Sequence, residues 1–299
     1  MPHIRPMTEL ITIASDRLTA RINPLGAELW SLCDADGREY MTDADPAFWT
    51  GHAPILFPIV GALNHGCYRI GERTYPLAKH GFARTSRFDV AIAAPDHARF
   101  VLTESPETLA VYPFRFALAV EFRVEGDVLR IVATVTNRGE APMWFSFGFH
   151  PAFAWPLPGG AAKAEHRVIF AEDEPAPVRR LDPPSGLLLP ESFETPVQGR
   201  ELVPDASLFA ADALMWDRLA SRSLTFGADG GSRLDIGFPD TPMLGIWQKP
   251  GAAYLCIEPW QGIADPQGWD GDFRFKPGVV DLEPDASRAF RMDVRVVAG

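Results

Sequence analysis

Two histidines and one glutamate stand out in this 299-residue chain, because each lies in a short aromatic segment marked by glycine or proline. His80 lies in the sequence KHGFAR, His150 in FGFHPAF, and Glu258 in CIEPW. Imidazole and carboxylate groups are the usual carriers of protons in general acid–base catalysis. Aromatic walls with a few polar groups are typical of small-molecule pockets. Together the three segments predict an enzyme that moves protons on a small molecule.

His80 follows an expected strand at residues 73–77 and precedes Gly81. Glycine permits a close approach of the backbone or an unusual dihedral angle, so the imidazole could be presented at a sheet edge. The alternative is a structural histidine that caps a strand or satisfies a buried carbonyl group. The local sequence leaves both interpretations open.

Strand alternation separates His150 from the phenylalanines around it. His150 shares one face with Ser146 and Gly148, and the opposite face carries Phe145, Phe147, Phe149 and Phe153. Small residues beside a histidine leave space for a ligand, whereas apolar packing would use larger ones. The alternative is a polar strand face open to water. Pro151 then ends the regular ladder.

Glu258 follows a strand, residues 254–257, that is apolar on both faces. A carboxylate there is costly unless it is paired or near the surface. Partial burial would raise its pKa and make it a better base at neutral pH, while an exposed strand-end glutamate is the alternative. Trp260 offers a flat apolar face of the kind on which sugar rings stack. Cys256 shares the strand face of Glu258, and a small buried hydrophobic side chain is its expected role.

No cofactor or metal motif accompanies these residues. The available histidines form no HxH or HExxH pair, and no acidic residue lies at ligand spacing to them. Phosphate loops, dinucleotide fingerprints and the GxSxG elbow are also missing from the sequence. The sequence therefore predicts chemistry without a cofactor and without a metal.

The elements that must position these residues show alternation with period two. It runs through residues 116–135 around a turn at 125–127, and returns at 224–238 and 290–296. This pattern is typical of antiparallel sheets that are covered on one side. Weak helical signals predict a short helix at 212–221 and one turn at 105–110. The proline-rich residues 175–204 are interpreted as a surface excursion within a single mostly antiparallel β-domain covering residues 1–299.

Composition limits the partners and the compartment. The net charge of −11 disfavours nucleic acid and anionic membrane as partners, and no segment approaches the roughly 20 apolar residues of a membrane span. Residues 1–10 contain no apolar core of the signal-peptide kind. The three cysteines are odd in number and widely spread, which indicates a reducing compartment. We therefore expect a cytoplasmic protein.

Four segments in order resemble the aldose 1-epimerase (galactose mutarotase-like) family, and specifically its LacX-like branch. They are PILFPIVG at 54–61, HGFAR at 80–84, HPAF at 150–153 and IEPW at 257–260, the last followed by Gly262 and Asp265. The matching segments span most of the chain, from about Trp49 to Asp265. The resemblance implies an all-β galactose mutarotase-like β-supersandwich of two large, mostly antiparallel sheets, with a sugar bound in a cleft.

The resemblance also implies a role for each of the three residues. Glu258 would take the proton of the anomeric hydroxyl, and His150 would donate a proton to the ring oxygen. His80 would hydrogen-bond near that oxygen and help to position the ring. The ring opens, the C1–C2 bond rotates, and reclosure gives the other anomer. The implied activity is that of a cofactor-independent aldose 1-epimerase, an isomerase of carbohydrate metabolism.

The chain departs from the family pattern at one position. Many relatives carry an arginine where this chain has Ala62. Either Arg84 supplies the missing donor, or the substrate differs. Asp212 is the candidate for the aspartate that binds sugar hydroxyls in the wider family, although no local motif fixes that alignment.

Three other functions remain as alternatives. Relatives of the same fold act on hexose 6-phosphates, which would require arginine or lysine around the phosphate. A glycoside hydrolase would use two carboxylates, for which Glu258 and Asp265 are the candidates, but it leaves both histidines without a role. A non-catalytic carbohydrate-binding protein is disfavoured because all three proton-handling residues are present. The sequence does not define the sugar, the oligomeric state or the pathway.

Overall fold

The computed structural model describes residues 9–299, in which β-strands are the main regular structure. The segment searched above for a signal-peptide core lies mostly outside this range, since its residues 1–8 are not described. In chain order the strands are β1 Ile11–Ala14, β2 Leu18–Asn23, β3 Glu28–Asp34, β4 Ile55–Leu56, β5 Cys67–Ile70, β6 Arg73–Pro76, β7 Asp89–Ala93, β8 His97–Thr103, β9 Phe116–Glu125, β10 Val128–Asn137, β11 Met143–Phe145, β12 Phe147–Phe149, β13 Ala152–Ala154, β14 Arg167–Phe170, β15 Val178–Leu181, β16 Leu188–Phe193, β17 Glu201–Leu202, β18 Leu214–Trp216, β19 Ser223–Gly227, β20 Arg233–Gly237, β21 Met243–Trp247, β22 Tyr254–Gln261, β23 Val280–Leu282 and β24 Ser287–Val297.

Helical structure within residues 9–299 is short. The α-helix α1 covers Pro106–Val111, and single 3₁₀ turns lie at Asn64–Gly66, Ala83–Thr85, Lys163–Glu165, Ala206–Phe209 and Phe273–Phe275. Ser105 caps α1 by accepting the backbone N–H of Thr108 at 3.2 Å. The predicted helical turn at 105–110 is therefore confirmed. No helix in the described range is long and apolar enough to cross a membrane.

Two large antiparallel sheets dominate the architecture, as the family resemblance implied. One has nine strands in the order β17-β14-β19-β20-β24-β10-β9-β8-β7, and the other has eight in the order β16-β15-β18-β21-β22-β12-β4 with β13 also pairing with β22. Smaller sheets join β1 to β3, β5 to β6, and β11 to β23. The two large sheets form the β-sandwich that the family resemblance implies.

The main core lies between the two large sheets. Alternation along β9 and β10 places Phe122 opposite Ile131 in the register, and both side chains are buried in one cluster with Leu255 and Ile257 of the other sheet. Full burial of each such side chain stabilises the fold by roughly 1.5–3 kcal/mol. The period-two pattern thus reflects one face of the nine-stranded sheet packed against the eight-stranded sheet.

Strand β22 is buried on both of its faces, as predicted from its sequence. Leu255 and Ile257 point into the main core. The alternate residues Cys256, Glu258 and Trp260 project from the opposite face, where they are also buried. The eight-stranded sheet therefore has a second covered face, and this face carries the polar residues.

Two sequence-based predictions about local structure are wrong. Residues 212–221 do not form a helix, because Leu214–Trp216 is the strand β18 between β15 and β21. Residues 175–204 are not a surface excursion, because they contain β15, β16 and β17, which extend both large sheets. In both cases pairing with distant strands overrides a weak local preference.

Candidate active site

A cavity of about 190 Å³ lies against the second covered face of the eight-stranded sheet. All six residues that the sequence analysis selected contribute to its walls, namely His80, Arg84, His150, Asp212, Glu258 and Trp260. They come from separate segments, and only the pairing of strands brings them together. The remaining wall is mainly apolar, which is typical of a ligand pocket.

The register of the sheet explains why His150 meets Glu258. Gly148 pairs with Trp260 across β12 and β22, and Ala152 pairs with Cys256 across β13 and β22. The residue midway between them, His150, therefore lies opposite Glu258. Nε2 of His150 is 3.1 Å from Oε2 of Glu258, which is hydrogen-bond distance.

His80 is held by a tight turn in an unusual backbone conformation. Its φ is 68° and that of Gly81 is 73°, a region that side-chain-bearing residues rarely occupy. A Cβ at Gly81 would lie only 2.2 Å from the carbonyl oxygen of Phe57, so this position requires glycine. The sequence motif HG thus fixes where the imidazole is presented.

One hydrogen bond sets the tautomer of His80. The backbone N–H of Gly61 donates to Nδ1 of His80 at 3.1 Å, so Nδ1 carries the lone pair and Nε2 carries the proton of the neutral ring. The ring stands nearly perpendicular to that of His150, with the ring centroids 5.8 Å apart. His80 is therefore a hydrogen-bond donor beside the His150–Glu258 pair.

Trp260 forms an aromatic wall above two glycines on the neighbouring strands. A Cβ built on Gly148 would lie 2.5 Å from Cδ1 of Trp260, and one on Gly245 would lie 2.5 Å from its Cη2. The indole thus lies across three strands, in space that side chains at 148 and 245 would otherwise fill. Its Nε1 is buried and has no hydrogen-bond partner among residues 9–299.

We expect Gly148→Ala to displace the indole of Trp260, since the new methyl group would overlap the ring. Overpacking of this kind costs about 1–3 kcal/mol of folding free energy. Chemical denaturation followed by tryptophan fluorescence measures both the loss and the changed environment of the ring. Gly237→Ala on β20 is the control, because its φ lies outside the left-handed region and a Cβ there would meet nothing closer than the Cβ of Asp293 at 4.0 Å. Unchanged stability and fluorescence in Gly148→Ala would contradict the described packing.

Burial dominates the protonation equilibria of the site. Desolvation raises the pKa of Glu258 well above its usual range, although Lys79 opposes the shift. Desolvation lowers the pKa of His150 to about 3. Both shifts favour the uncharged pair of a carboxylic acid and a neutral imidazole. Over 3.1 Å, one proton transfer converts that pair into carboxylate and imidazolium with no change in total charge.

Stability should fall as the pH drops from about 6.5 towards 5. Burial lowers the pKa of four histidines in the folded chain, namely His52, His80, His150 and His166. In the unfolded chain a histidine titrates near pH 6.5, so below that pH the unfolded state binds more protons and is favoured. The raised pKa of Glu258 has the opposite effect, because above about pH 4.3 the folded state binds more protons at this group and gains stability as the pH falls. The four histidines together outweigh this single carboxyl group. Thermal unfolding at constant ionic strength between pH 7 and 5 measures the effect, and a flat or rising midpoint would contradict it.

The structure adds residues that the sequence analysis missed. Trp49 packs on His150 with ring centroids 5.1 Å apart, and Trp247 lies edge-on to the same ring at 6.1 Å. Lys79 also lines the cavity, next to His80 in the chain. The position of Lys79 in the KHGFAR motif could have revealed it, whereas no local signal marks Trp247.

Asp212 and Arg84 both line the cavity. Asp212 has a φ of 64°, and its Oδ1 accepts the backbone N–H of Ala213 at 2.7 Å. Arg84 belongs to the 3₁₀ turn at Ala83–Thr85. Within residues 9–299 neither Arg84 nor Lys79 forms an ion pair with a carboxylate. The cavity wall therefore carries one carboxylate acceptor besides Glu258, together with two cationic donors.

Asp265 does not line the cavity. Its Oδ1 lies 2.7 Å from the ammonium of Lys276, and both side chains are almost fully buried. Its Oδ2 accepts the backbone N–H of Asn64 at 2.9 Å. This carboxylate holds loops together, so it does not provide the second carboxylate that a glycoside hydrolase requires. Ala62 is likewise absent from the cavity wall.

Several known proteins are similar to this chain. The family model described as aldose 1-epimerase matches residues 9–230. The plasmid-encoded protein LacX of Lactococcus lactis subsp. lactis is 33% identical over 283 residues, which cover 92% of this chain and 95% of LacX. A galactose mutarotase related enzyme from Lactobacillus acidophilus has a TM-score of 0.88 at 30% identity, covering 97% of this chain and 98% of its own. A galactose mutarotase-like protein from Lactobacillus casei has a TM-score of 0.89 at 30% identity, and the match covers 97% of this chain and 100% of the Lactobacillus casei chain.

Proposed function

Because this chain belongs to the aldose 1-epimerase family, we propose that it interconverts the α and β anomers of a hexose by acid–base ring opening. The observation that carries the proposal is the pair of His150 and Glu258, 3.1 Å apart in a cavity with aromatic walls. The two oxygens that must lose and gain protons, the anomeric hydroxyl and the ring oxygen, are bonded to the same carbon. Two groups at hydrogen-bond distance from each other can therefore reach both.

The proton transfers balance within the pair. Glu258, as the carboxylate, accepts the proton of the anomeric hydroxyl, and His150, as the imidazolium, donates a proton to the ring oxygen. The bond from C1 to the ring oxygen breaks as the C1 carbonyl forms. After rotation about C1–C2, His150 takes back the proton of the attacking hydroxyl and Glu258 returns its proton to the carbonyl oxygen. The pair is regenerated, so no cofactor is needed.

Burial assists the open-chain half of this cycle. While the sugar is open, Glu258 is a carboxylic acid and His150 is a neutral imidazole, which is the uncharged pair that desolvation favours. The site thus lowers the free energy of the enzyme groups in the state where the substrate is an aldehyde. Each acid or base typically contributes about 10²–10⁴-fold in rate. That is adequate for a reaction that already proceeds in water.

Other cavity residues position the sugar in this proposal. The Nε2–H of His80 hydrogen-bonds near the ring oxygen. Asp212 accepts hydrogen bonds from sugar hydroxyls, and Arg84 donates to them. The apolar face of the ring stacks on Trp260.

Anomer exchange followed by NMR tests the proposal. Freshly dissolved α-D-glucose and α-D-galactose are followed separately, with and without the enzyme. Acceleration of either sugar is the expected result, and the ratio of the two rates ranks the substrates. No acceleration of these sugars or of their 6-phosphates would contradict the proposal. Retained sugar binding in that case would favour a non-catalytic carbohydrate-binding protein.

A hexose 6-phosphate is the second candidate substrate, supported by Lys79 and Arg84. Both cations line the cavity, and neither is neutralised by a carboxylate within residues 9–299. Hydrogen bonds between such groups and phosphate are among the strong ones. The chain as a whole carries a net charge of −11, so this cationic cavity contrasts with the overall composition.

Arg84→Ala distinguishes the two substrate classes. If the substrate is phosphorylated, we expect KM for glucose 6-phosphate to rise roughly 10–100-fold, the equivalent of a lost hydrogen bond to a charged group. KM for glucose should then change much less. Arg87→Ala, which removes an exposed arginine three residues away and outside the cavity, is the control. An equal loss with both sugars would assign Arg84 to a hydroxyl group instead.

A further inference from the structure

A third polar side chain lies beside the His150–Glu258 pair and has no role in the proposed reaction. Cys256 is a free, fully buried thiol. It precedes Glu258 by two residues on β22, so both side chains project from the same face. A ring nitrogen of His150, the sulfur of Cys256 and a carboxylate oxygen of Glu258 all lie within 4.8 Å of one another. All three residues are buried.

We propose that His150, Cys256 and Glu258 form a binding site for Zn²⁺, and that the bound ion inhibits the enzyme. Imidazole, thiolate and carboxylate are the three ligand types of protein zinc sites. The proposal that the ion inhibits the enzyme rests on the proposed function, whereas the proposal that the ion binds does not. The sequence, which lacks spaced metal motifs, predicted no metal. Here the ligands come from β22 and from the link between β12 and β13, which are more than 100 residues apart in the chain.

The distances fit a tetrahedral ion after small side-chain movements. Zinc bonds of 2.0–2.3 Å place neighbouring ligand atoms roughly 3.3–3.7 Å apart. Nε2 of His150 and Oε2 of Glu258 are already 3.1 Å apart, and the 4.8 Å limit on the cluster requires closure by roughly 1 Å at most. Three protein ligands leave a fourth position for water, as in catalytic zinc sites.

The charges also favour a doubly charged soft ion. Zn²⁺ with the thiolate of Cys256, the carboxylate of Glu258 and a neutral imidazole has no net charge, so the complete site can remain buried at low cost. Magnesium and calcium prefer six or more oxygen ligands, which this cluster does not provide. Lys79 and Arg84 face the same cavity and oppose a cation, while Asp212 partly offsets them.

A bound ion would occupy the groups that carry the protons. The lone pair of His150 and the carboxylate of Glu258 cannot exchange protons with a sugar while they bind metal. We therefore expect one equivalent of Zn²⁺ to remove the anomer-exchange activity, and a chelator to restore it.

Calorimetric titration of the chelator-treated full-length protein with ZnCl₂ tests the site directly. We expect one ion per chain with release of protons from the ligands, and a thiolate-to-metal absorption band when Co²⁺ replaces Zn²⁺. Cys256→Ala should bind at least about 100-fold more weakly, since even the loss of an outer-shell partner costs 10–100-fold. Its anomer-exchange rate should remain close to that of the wild type. Cys67→Ala, which removes a half-buried thiol elsewhere, should bind like the wild type.

Two results would overturn the proposal. One is equal affinity for Zn²⁺ in the wild type and in Cys256→Ala, and the other is no binding by the wild type. If Cys256→Ala does not fold, Cys256→Ser provides the same comparison with a side chain of similar size. Calorimetry and the Co²⁺ spectrum do not depend on activity, so a failure of the proposed epimerase function would leave the metal result interpretable. A bound ion that leaves the rate unchanged would overturn the inhibition half alone.

Discussion

Replacing Glu258 by glutamine is expected to lower kcat for anomer exchange by about 10²–10⁴-fold, the usual contribution of one general base. Glutamine has nearly the same shape and keeps a carbonyl oxygen that can accept a hydrogen bond, but it cannot take a proton from the anomeric hydroxyl. Sugar binding and the fold should therefore be retained. NMR exchange rates at saturating sugar, together with the unfolding midpoint, measure both parts of this prediction.

Glu121→Gln is the matched control for that substitution. Glu121 faces His97 with Oε1 3.1 Å from Nε2, the same separation as between Glu258 and His150, but it lies on the nine-stranded sheet away from the cavity. Loss of this carboxylate should leave the rate unchanged. A near-normal rate in Glu258→Gln would remove Glu258 from the mechanism.

His150→Asn should have an effect of similar size, because it removes the proposed acid. Asparagine can donate a hydrogen bond but does not exchange protons near neutral pH, so ring opening would lack its donor. We expect kcat to fall by about 10²–10⁴-fold, while KM changes little. The double variant with Glu258→Gln should lose far less than the product of the two single effects, since the two groups act as one unit.

His97→Asn controls for the loss of a histidine that contacts a glutamate. It should retain the wild-type rate. If His150→Asn changed only KM and left kcat intact, His150 would bind the sugar without donating the proton.

The fold could be predicted in large part from period-two alternation. Strands such as β9, β10 and β24 have one face in the core, and their sequences show it. The alternation is weaker where strands are short or buried on both faces, as in β4, β13 and β18. Residues 212–221 looked helical because the partners of β18 lie more than 25 residues away in either direction. Local propensity could not reveal that pairing.

The site could be predicted as a set of residues but not as an arrangement. The aromatic motifs and the family resemblance selected His80, His150 and Glu258, and all three line one cavity. The meeting of His150 with Glu258 depends on the register of β22 with β12 and β13, which a single sequence does not contain. The same register brings His150 close to Cys256, and no spacing in the sequence indicates that proximity.

The arrangement of Trp260 over Gly148 and Gly245 has a consequence for how this pocket can change by mutation. The indole of Trp260 fills the space that side chains at positions 148 and 245 would need, so both positions require glycine. The three positions are therefore energetically coupled. Gly245→Ala should be costly in the wild type and nearly neutral once Trp260 is replaced by alanine. A new pocket shape is therefore reached most easily when the tryptophan changes first, and the order in which substitutions occur constrains the sugars that descendants of this chain can come to bind.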